Sequence, residues 1–166
     1  MNDDERSYVP AERFHIPGGR VYGGEVGEAI YKRSALMSRV LYIAPHENQG
    51  FPEGDDRRGR GRDFATWVFS EEPGLAEGLF SCGLELIIDA RMEADASVGL
   101  HLHRETEEVY YVLEGALTMT TVLPDGREVT QPLGPGDAHG VRLGEGHYGR
   151  AGPSGCRFIA VAVRRR

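Results

Sequence analysis

From Phe64 onward, apolar positions come in short runs rich in β-branched and aromatic residues, each closed by glycine, proline or charge. "FATWVFS" (64–70), "LFSCGLELIID" (79–89) and "SVGLHLH" (97–103) are the first of these runs. "EEVYYVL" (107–113) and "ALTMTTVL" (116–123) flank Glu114-Gly115. "TTVLPDGREVTQ" reads as a hairpin turning at Pro124, Asp125 and Gly126. "LGPGD" (133–137) is a further turn, and "CRFIAVAV" (156–163) a final buried strand. Many short strands spaced by turns predict an all-β sandwich or barrel.

Upstream, the pattern is weaker. Residues 36–44, "LMSRVLYIA", fit a strand or a short helix, and periodicity does not separate them. "PHENQGFPEGDDRRGRGRD" (45–63) carries glycine, proline and charge with no apolar period, and reads as a surface loop or a mobile flap. We therefore divide the chain into an N-terminal extension, 1–63, packing on the barrel or on a partner subunit, and a barrel over 64–166.

The chain's 166 residues suffice for one domain with a sizeable core. Its 23 glycines suit a turn-rich fold. A net charge of −7, with basic clusters only at 57–62 and 164–166, disfavours nucleic acid and anionic membrane as partners. No apolar run approaches the roughly 20 residues that span a bilayer. The acidic start "MNDDERSYVP" is unlike a signal peptide, so a cytoplasmic location is expected. Cys82 and Cys156 form no CxxC pair and are expected to be buried as small hydrophobes.

The candidate chemistry sits in "GLHLHRETEEVYYVLEG" (99–115). On a strand, His101 and His103 project to one face, with Leu100 and Leu102 on the other. Glu108 and Tyr110 share a face on the next run. If these strands are neighbours, two imidazoles and a carboxylate converge on one point. A bare His-x-His is undemanding and occurs by chance. Here a carboxylate and a distant His147 accompany the pair. Imidazole and carboxylate suit Fe(II), Mn(II), Co(II), Ni(II) or Zn(II), and nothing in the set is soft enough for Cu(I).

These residues resemble the two motifs of the cupin superfamily. The first motif runs glycine, five residues, His-x-His, three or four residues, Glu, six residues, Gly. His101, His103, Glu108 and Gly115 are in register, and Asp95 stands where the family has its leading glycine. The second runs glycine, five residues, Pro-x-Gly, two residues, His, three residues, Asn. Gly136, Gly144 and His147 are in register, with Arg142 replacing the proline and Ala151 the asparagine. The resemblance covers residues 80 to 163 and implies a small, single-domain, metal-binding cupin. The implied fold is a double-stranded β-helix (jelly-roll) barrel. The implied ligands are His101, His103, Glu108 and His147, holding one divalent metal, Fe(II) or Mn(II) ahead of the others.

The implied function is that of a metal-dependent enzyme, a dioxygenase, isomerase, decarboxylase or lyase, acting on a small polar or carboxylate-bearing molecule. The alternatives are a non-catalytic small-molecule-binding module and a barrel whose metal serves stability. Tyr110 is a candidate proton donor or acceptor, or simply packs in the barrel. His139 is a candidate pocket base, though its face cannot be read from the run it lies in. Arg142 is a candidate for binding a substrate carboxylate, or a solvated side chain. His15 and His46 could reach the barrel mouth or lie in exposed loops. Trp67, Phe69 and Met119 are expected in the core. Family members pair through N-terminal strands, so "LMSRVLYIA" and "FATWVF" are expected to help build a homodimer.

Overall fold

The computed structural model describes residues 8–11, 25–26, 30–31, 33–45, 50–70 and 82–165. The strands in chain order are β1 (Val9–Pro10), β2 (Glu25–Val26), β3 (Ile30–Tyr31), β4 (Ser38–Ile43), β5 (Arg62–Ser70) and β6 (Leu84–Met92). They continue with β7 (Ser97–Leu102), β8 (Thr106–Val122), β9 (Glu128–Leu133), β10 (Ala138–Val141) and β11 (Gly146–Arg164). β2 and β3 form a separate pair. The rest make one sheet in the order β1-β4-β5-β6-β11-β8-β10, with β7 also paired to β11 and β9 to β8.

The two long strands turn this sheet into a barrel, because each changes partners along its length. The first part of β11 (146–151) runs between β7 and the second part of β8. Its later part (156–164) runs between the first part of β8 and β6. The first part of β8 pairs with β10 and the second with β9. The change falls at a bulge, where the register shifts between Ala151 and Cys156. Gly115 and Gly155 meet there, both with a φ of 75°. A Cβ on Gly115 would lie 2.2 Å from the Gly155 carbonyl oxygen, so no side chain fits at this bend.

Two walls result, and their facing residues form one core. Tyr110, Val112, Ala90, Met92, Phe158 and Ala160 come from the wall of β10, β8, β11 and β6. Leu117, Met119 and Ala151 come from the other. The period of two is clean in β8, where Glu108, Tyr110 and Val112 are buried while Glu107, Val109 and Tyr111 are exposed. Burying a side chain such as Phe158 or Leu117 contributes about 2–3 kcal/mol before entropy is charged.

The upstream stretch resolves into more regular structure than its pattern suggested. Residues 36–44 begin in a 3₁₀ turn (Ser34–Leu36) and continue as β4. β4 and β5 extend the barrel's own sheet, so residue 63 falls inside a strand rather than at a boundary. Val40, Ala65 and Trp67 on these strands are buried within the chain. The loop-like segment is partly built onto the barrel. Arg60 forms an antiparallel bridge with Ser97 on the free edge of β7. Just before it, a 3₁₀ turn (Asp56–Arg58), capped by the Asp55 carboxylate, lies against Gly99. Three arginines of the basic run are paired, Arg57 with Asp55, Arg60 with Asp56 and Arg62 with Glu93. Trp67 and Met119 are in the core as expected, and Phe69 is half-buried. Cys156 is buried as expected, but Cys82 is exposed, because it precedes β6 rather than lying on it.

Candidate metal centre

The four residues picked out by spacing meet inside the barrel. The ligand atoms of His101, His103, Glu108 and His147 all lie within 4.8 Å of one another. The Nε2 of His147 is 2.8 Å from that of His101 and 3.1 Å from that of His103. Oε2 of Glu108 lies 3.5 Å from the Nε2 of His147, 3.6 Å from that of His103 and 4.0 Å from that of His101. His103, Glu108 and His147 are buried and His101 is half-buried.

The strands achieve this differently from the simple neighbour arrangement. β7 pairs with β11, not with β8. His101 sits opposite His147 in the β7–β11 register, so one wall supplies both. Glu108 comes from the first part of β8, in the other wall, where it pairs with Val141 and Ala162. The carboxylate therefore reaches the imidazoles across the barrel. His103 lies just past the end of β7. Its backbone is held by two hydrogen bonds: its N–H donates to the Glu145 carbonyl at 2.9 Å, and its carbonyl accepts from Gly144 N–H at 2.7 Å.

The hydrogen bonds behind the histidines decide what their Nε2 atoms offer. Nδ1 of His101 is 2.9 Å from the Gly99 carbonyl oxygen, which can only accept. The proton of neutral His101 is therefore on Nδ1, and its Nε2 presents a lone pair to the centre. Nδ1 of His103 is 3.3 Å from the Thr106 hydroxyl. Nδ1 of His147 is 3.1 Å from Nε2 of His139. Imidazole lone pairs and a carboxylate converging at such distances repel one another unless a cation or a shared proton lies between them. Nitrogen–oxygen donors without thiolate suit a divalent first-row ion, so the residues fit the expected metal.

Electrostatics favour the binding-competent forms. Burial pushes the Glu108 carboxyl up, but the neighbouring imidazoles of His101 and His147 outweigh it and bring the pKa down to about 2. Burial pushes His147 down to about 3, against the pull of Glu108. His147 is therefore neutral at pH 7 and has no proton to lose before it ligates. Burial also lowers the pKa of His139.

The remaining candidates separate by position. Tyr110 is buried next to Glu108 in the strand alternation, with its ring edge-on to His147 at 5.3 Å between centroids and tilted against Phe158 at 4.6 Å. His139 faces inward, in register with Tyr110. Arg142 is exposed and engaged with Glu145. Its Nε and Nη2 donate to Oε1 at 3.0 and 2.5 Å, and its backbone N–H donates to Oε2 at 2.9 Å. It thus locks the turn that leads into His147, in the position where the family has a proline. Asp95 adopts a φ of 58°, a left-handed conformation that Asp tolerates better than most residues. A cleft of about 730 Å³ lined by exposed Glu107, Val109, Val129 and Val163, with Arg142 and Glu145 at its side, includes none of the three ligand histidines in its lining. His15 and His46 lie outside the described residues. Sequence reasoning passed over Glu145, a buried carboxylate whose pKa the Arg142 hydrogen bond lowers. Its spacing three residues after Arg142 was the available signal.

Comparison with known proteins agrees with this fold. Residues 89–162 match the family model described as Cupin domain. No curated protein matches the sequence. Among solved structures, a predicted oxalate decarboxylase from Thermotoga maritima is similar over 80% of this chain and 97% of its own, with 22% identity and a TM-score of 0.58. Oxalate decarboxylase from Bacillus subtilis, a protein with Mn(II) centres, matches over 61% of this chain with 26% identity and a TM-score of 0.52. This chain spans about a quarter of that protein's length (25%). The Cnp3 cupin domain of Schizosaccharomyces pombe matches over 62% of this chain and 65% of its own, with 14% identity and a TM-score of 0.50. No helix among the described residues is long and apolar enough to cross a membrane.

Proposed function

We propose that the chain, whose residues 89–162 match the cupin-domain model, is a metal-dependent enzyme acting on a small carboxylate-bearing molecule. The observation that carries the proposal is the convergence of three imidazoles and one carboxylate within 4.8 Å. Four protein ligands leave room for substrate on an ion that takes five or six. A divalent ion held there supplies Lewis acidity and, as Fe(II) or Mn(II), redox chemistry. His101, His103, Glu108 and His147 hold it, and Glu108 offsets part of its charge. Tyr110 lies on the same wall as Glu108 and is positioned to hold or move a proton beside the site.

Of the chemistries open to such a site, decarboxylation comes first. The likeness to the Bacillus subtilis enzyme supports it and makes Mn(II) the first metal to load. Elemental analysis of untagged, chelator-free protein should find near-stoichiometric manganese or iron. The manganese-loaded protein should then release carbon dioxide from one of a panel of small mono- and dicarboxylates. Protein that holds no metal and cannot be reloaded would sink the proposal. Carboxylates that perturb the Mn(II) resonance spectrum without turnover would favour a non-catalytic binding barrel.

A further inference from the structure

We propose that His139 is a positioning residue for this site: it accepts the Nδ1–H of His147 and so turns the bare Nε2 of His147 toward the other ligands. The inference rests on the metal reading of the four residues and assigns a task to a fifth.

His147 has no exposed surface, so water cannot satisfy its inner nitrogen. Nε2 of His139, at 3.1 Å, is the hydrogen-bond partner of that Nδ1 among the described residues. The fold brings it there by register. β10 lies at the sheet edge and pairs His139 with Tyr110, whose side chain faces the interior. The two rings are nearly parallel, 15° apart, with centroids at 5.2 Å.

The tautomers follow from the neighbours. His101 keeps its proton on Nδ1 for the Gly99 carbonyl, so its Nε2 is an acceptor. If His147 carried its proton on Nε2, that proton would point at His101 Nε2, 2.8 Å away, and fill the centre. With the proton on Nδ1, donated to His139, the Nε2 lone pair faces the centre. His139 must then be protonated on its own Nδ1. His101 uses a backbone carbonyl for this purpose, whereas His147 uses a side chain, which mutation can remove. Partners of this kind contribute roughly 10–100-fold to metal affinity.

The test uses the full chain and Zn(II), a diamagnetic probe. His139→Phe keeps a ring and deletes the acceptor, whereas His139→Gln restores an acceptor oxygen. Chelator competition should show zinc affinity falling roughly 10–100-fold in His139→Phe and recovering most of that loss in His139→Gln. In the zinc-loaded wild type, nitrogen-15 spectra should place the His147 proton on Nδ1, with a coupling across to Nε2 of His139. Wild-type zinc affinity in His139→Phe, or a His147 proton that shows no such coupling, overturns the assignment. If His139→Phe fails to fold, the spectrum of the wild type decides. A wild type that takes up no zinc brings down the metal reading and this inference with it. A wild type that binds, with His139→Phe binding equally well, brings down this inference alone.

Discussion

At the candidate metal centre, Glu108 meets three imidazole nitrogens at 3.5–4.0 Å. Further along the barrel, Asp63 on β5 has an Oδ1 that is buried with no hydrogen-bond partner. The register measures their separation. Glu108 stands opposite Ala162 on β11, while Asp63 leads through Met92 to Cys156, six residues earlier on that strand. At strand rise this is about 20 Å. Burial raises the pKa of both carboxyls, yet Glu108 ends at about 2 and Asp63 at about 7. The facing imidazoles of His101 and His147 outweigh burial at Glu108, whereas only the Phe64 backbone opposes it at Asp63. Burial sets the cost of a charge, and the partners decide whether the charge is kept.

The sharpest way to break this contrast is to neutralise each carboxylate in turn and read metal affinity. Glu108→Gln should lower zinc or manganese affinity by about a hundredfold or more, since it removes a charged ligand and not merely a supporting bond. Asp63→Asn, about 20 Å away, should change affinity less than about twofold. Competition with a chelator of known strength measures both. Equal losses would mean that Glu108 acts through the fold and not through the metal.

The contrast also separates what could be read from the chain from what could not. His101, His103, Glu108 and His147 were identifiable because motif spacing is local and each motif carries a fixed count of residues between ligands. The turn at Asp125-Gly126 was readable for the same reason: its chemistry lies within a few residues. The site's actual construction was not, because pairing is long-range. Nothing near residue 101 says that β7 joins β11, or that Glu108 arrives from the opposite wall. The face of His139 depended on its partner Tyr110 in another strand. Asp63 showed no signal at all. It sits in a charged run that reads as loop, whereas in the fold it lies on β5 between β4 and β6 with one oxygen buried.

A second prediction follows from the sign of the Asp63 shift. Its folded pKa lies above its unfolded value of about 3.9, so the folded state holds the proton longer. Its contribution is intact below about pH 4, declines as pH rises to about 7, and is flat beyond. Asp63→Asn should therefore leave stability unchanged at pH 4 and raise it at pH 8. The full linkage would be about 4 kcal/mol. Asp63 is half-buried rather than enclosed, so about 2 kcal/mol is expected, or roughly 4–8 °C in Tm. Glu108 and His147 have the opposite slope in metal-free protein. Both folded pKa values are depressed, so their contributions are lost as pH falls, below about 6.5 for His147 and below about 4.3 for Glu108. Chemical denaturation of the apo protein at pH 4 and pH 8 tests this. An Asp63→Asn variant no more stable than wild type at pH 8 would remove the contrast.

The smallest effect concerns the two thiols. Cys82 is exposed and Cys156 is buried. Burial, with the Asp63 charge adding to it, pushes the Cys156 thiol up to about 12. At pH 8 the native chain should present one fast-reacting thiol to a disulfide reagent and two after denaturation. In a Cys82→Ser background only Cys156 remains to be counted, and two mechanisms then compete when Asp63→Asn is added. Losing a neighbouring negative charge eases thiolate formation, which speeds labelling. Stabilising the fold makes the thiol less often accessible, which slows it. Burial is the larger cause of the Cys156 shift, so the folded thiol stays inert either way and labelling passes through opening. Asp63→Asn should therefore slow the labelling of Cys156 at pH 8, by up to about 30-fold if the opening is global. Faster labelling would place reaction in the folded state and show that the Asp63 charge, more than burial, protects this thiol.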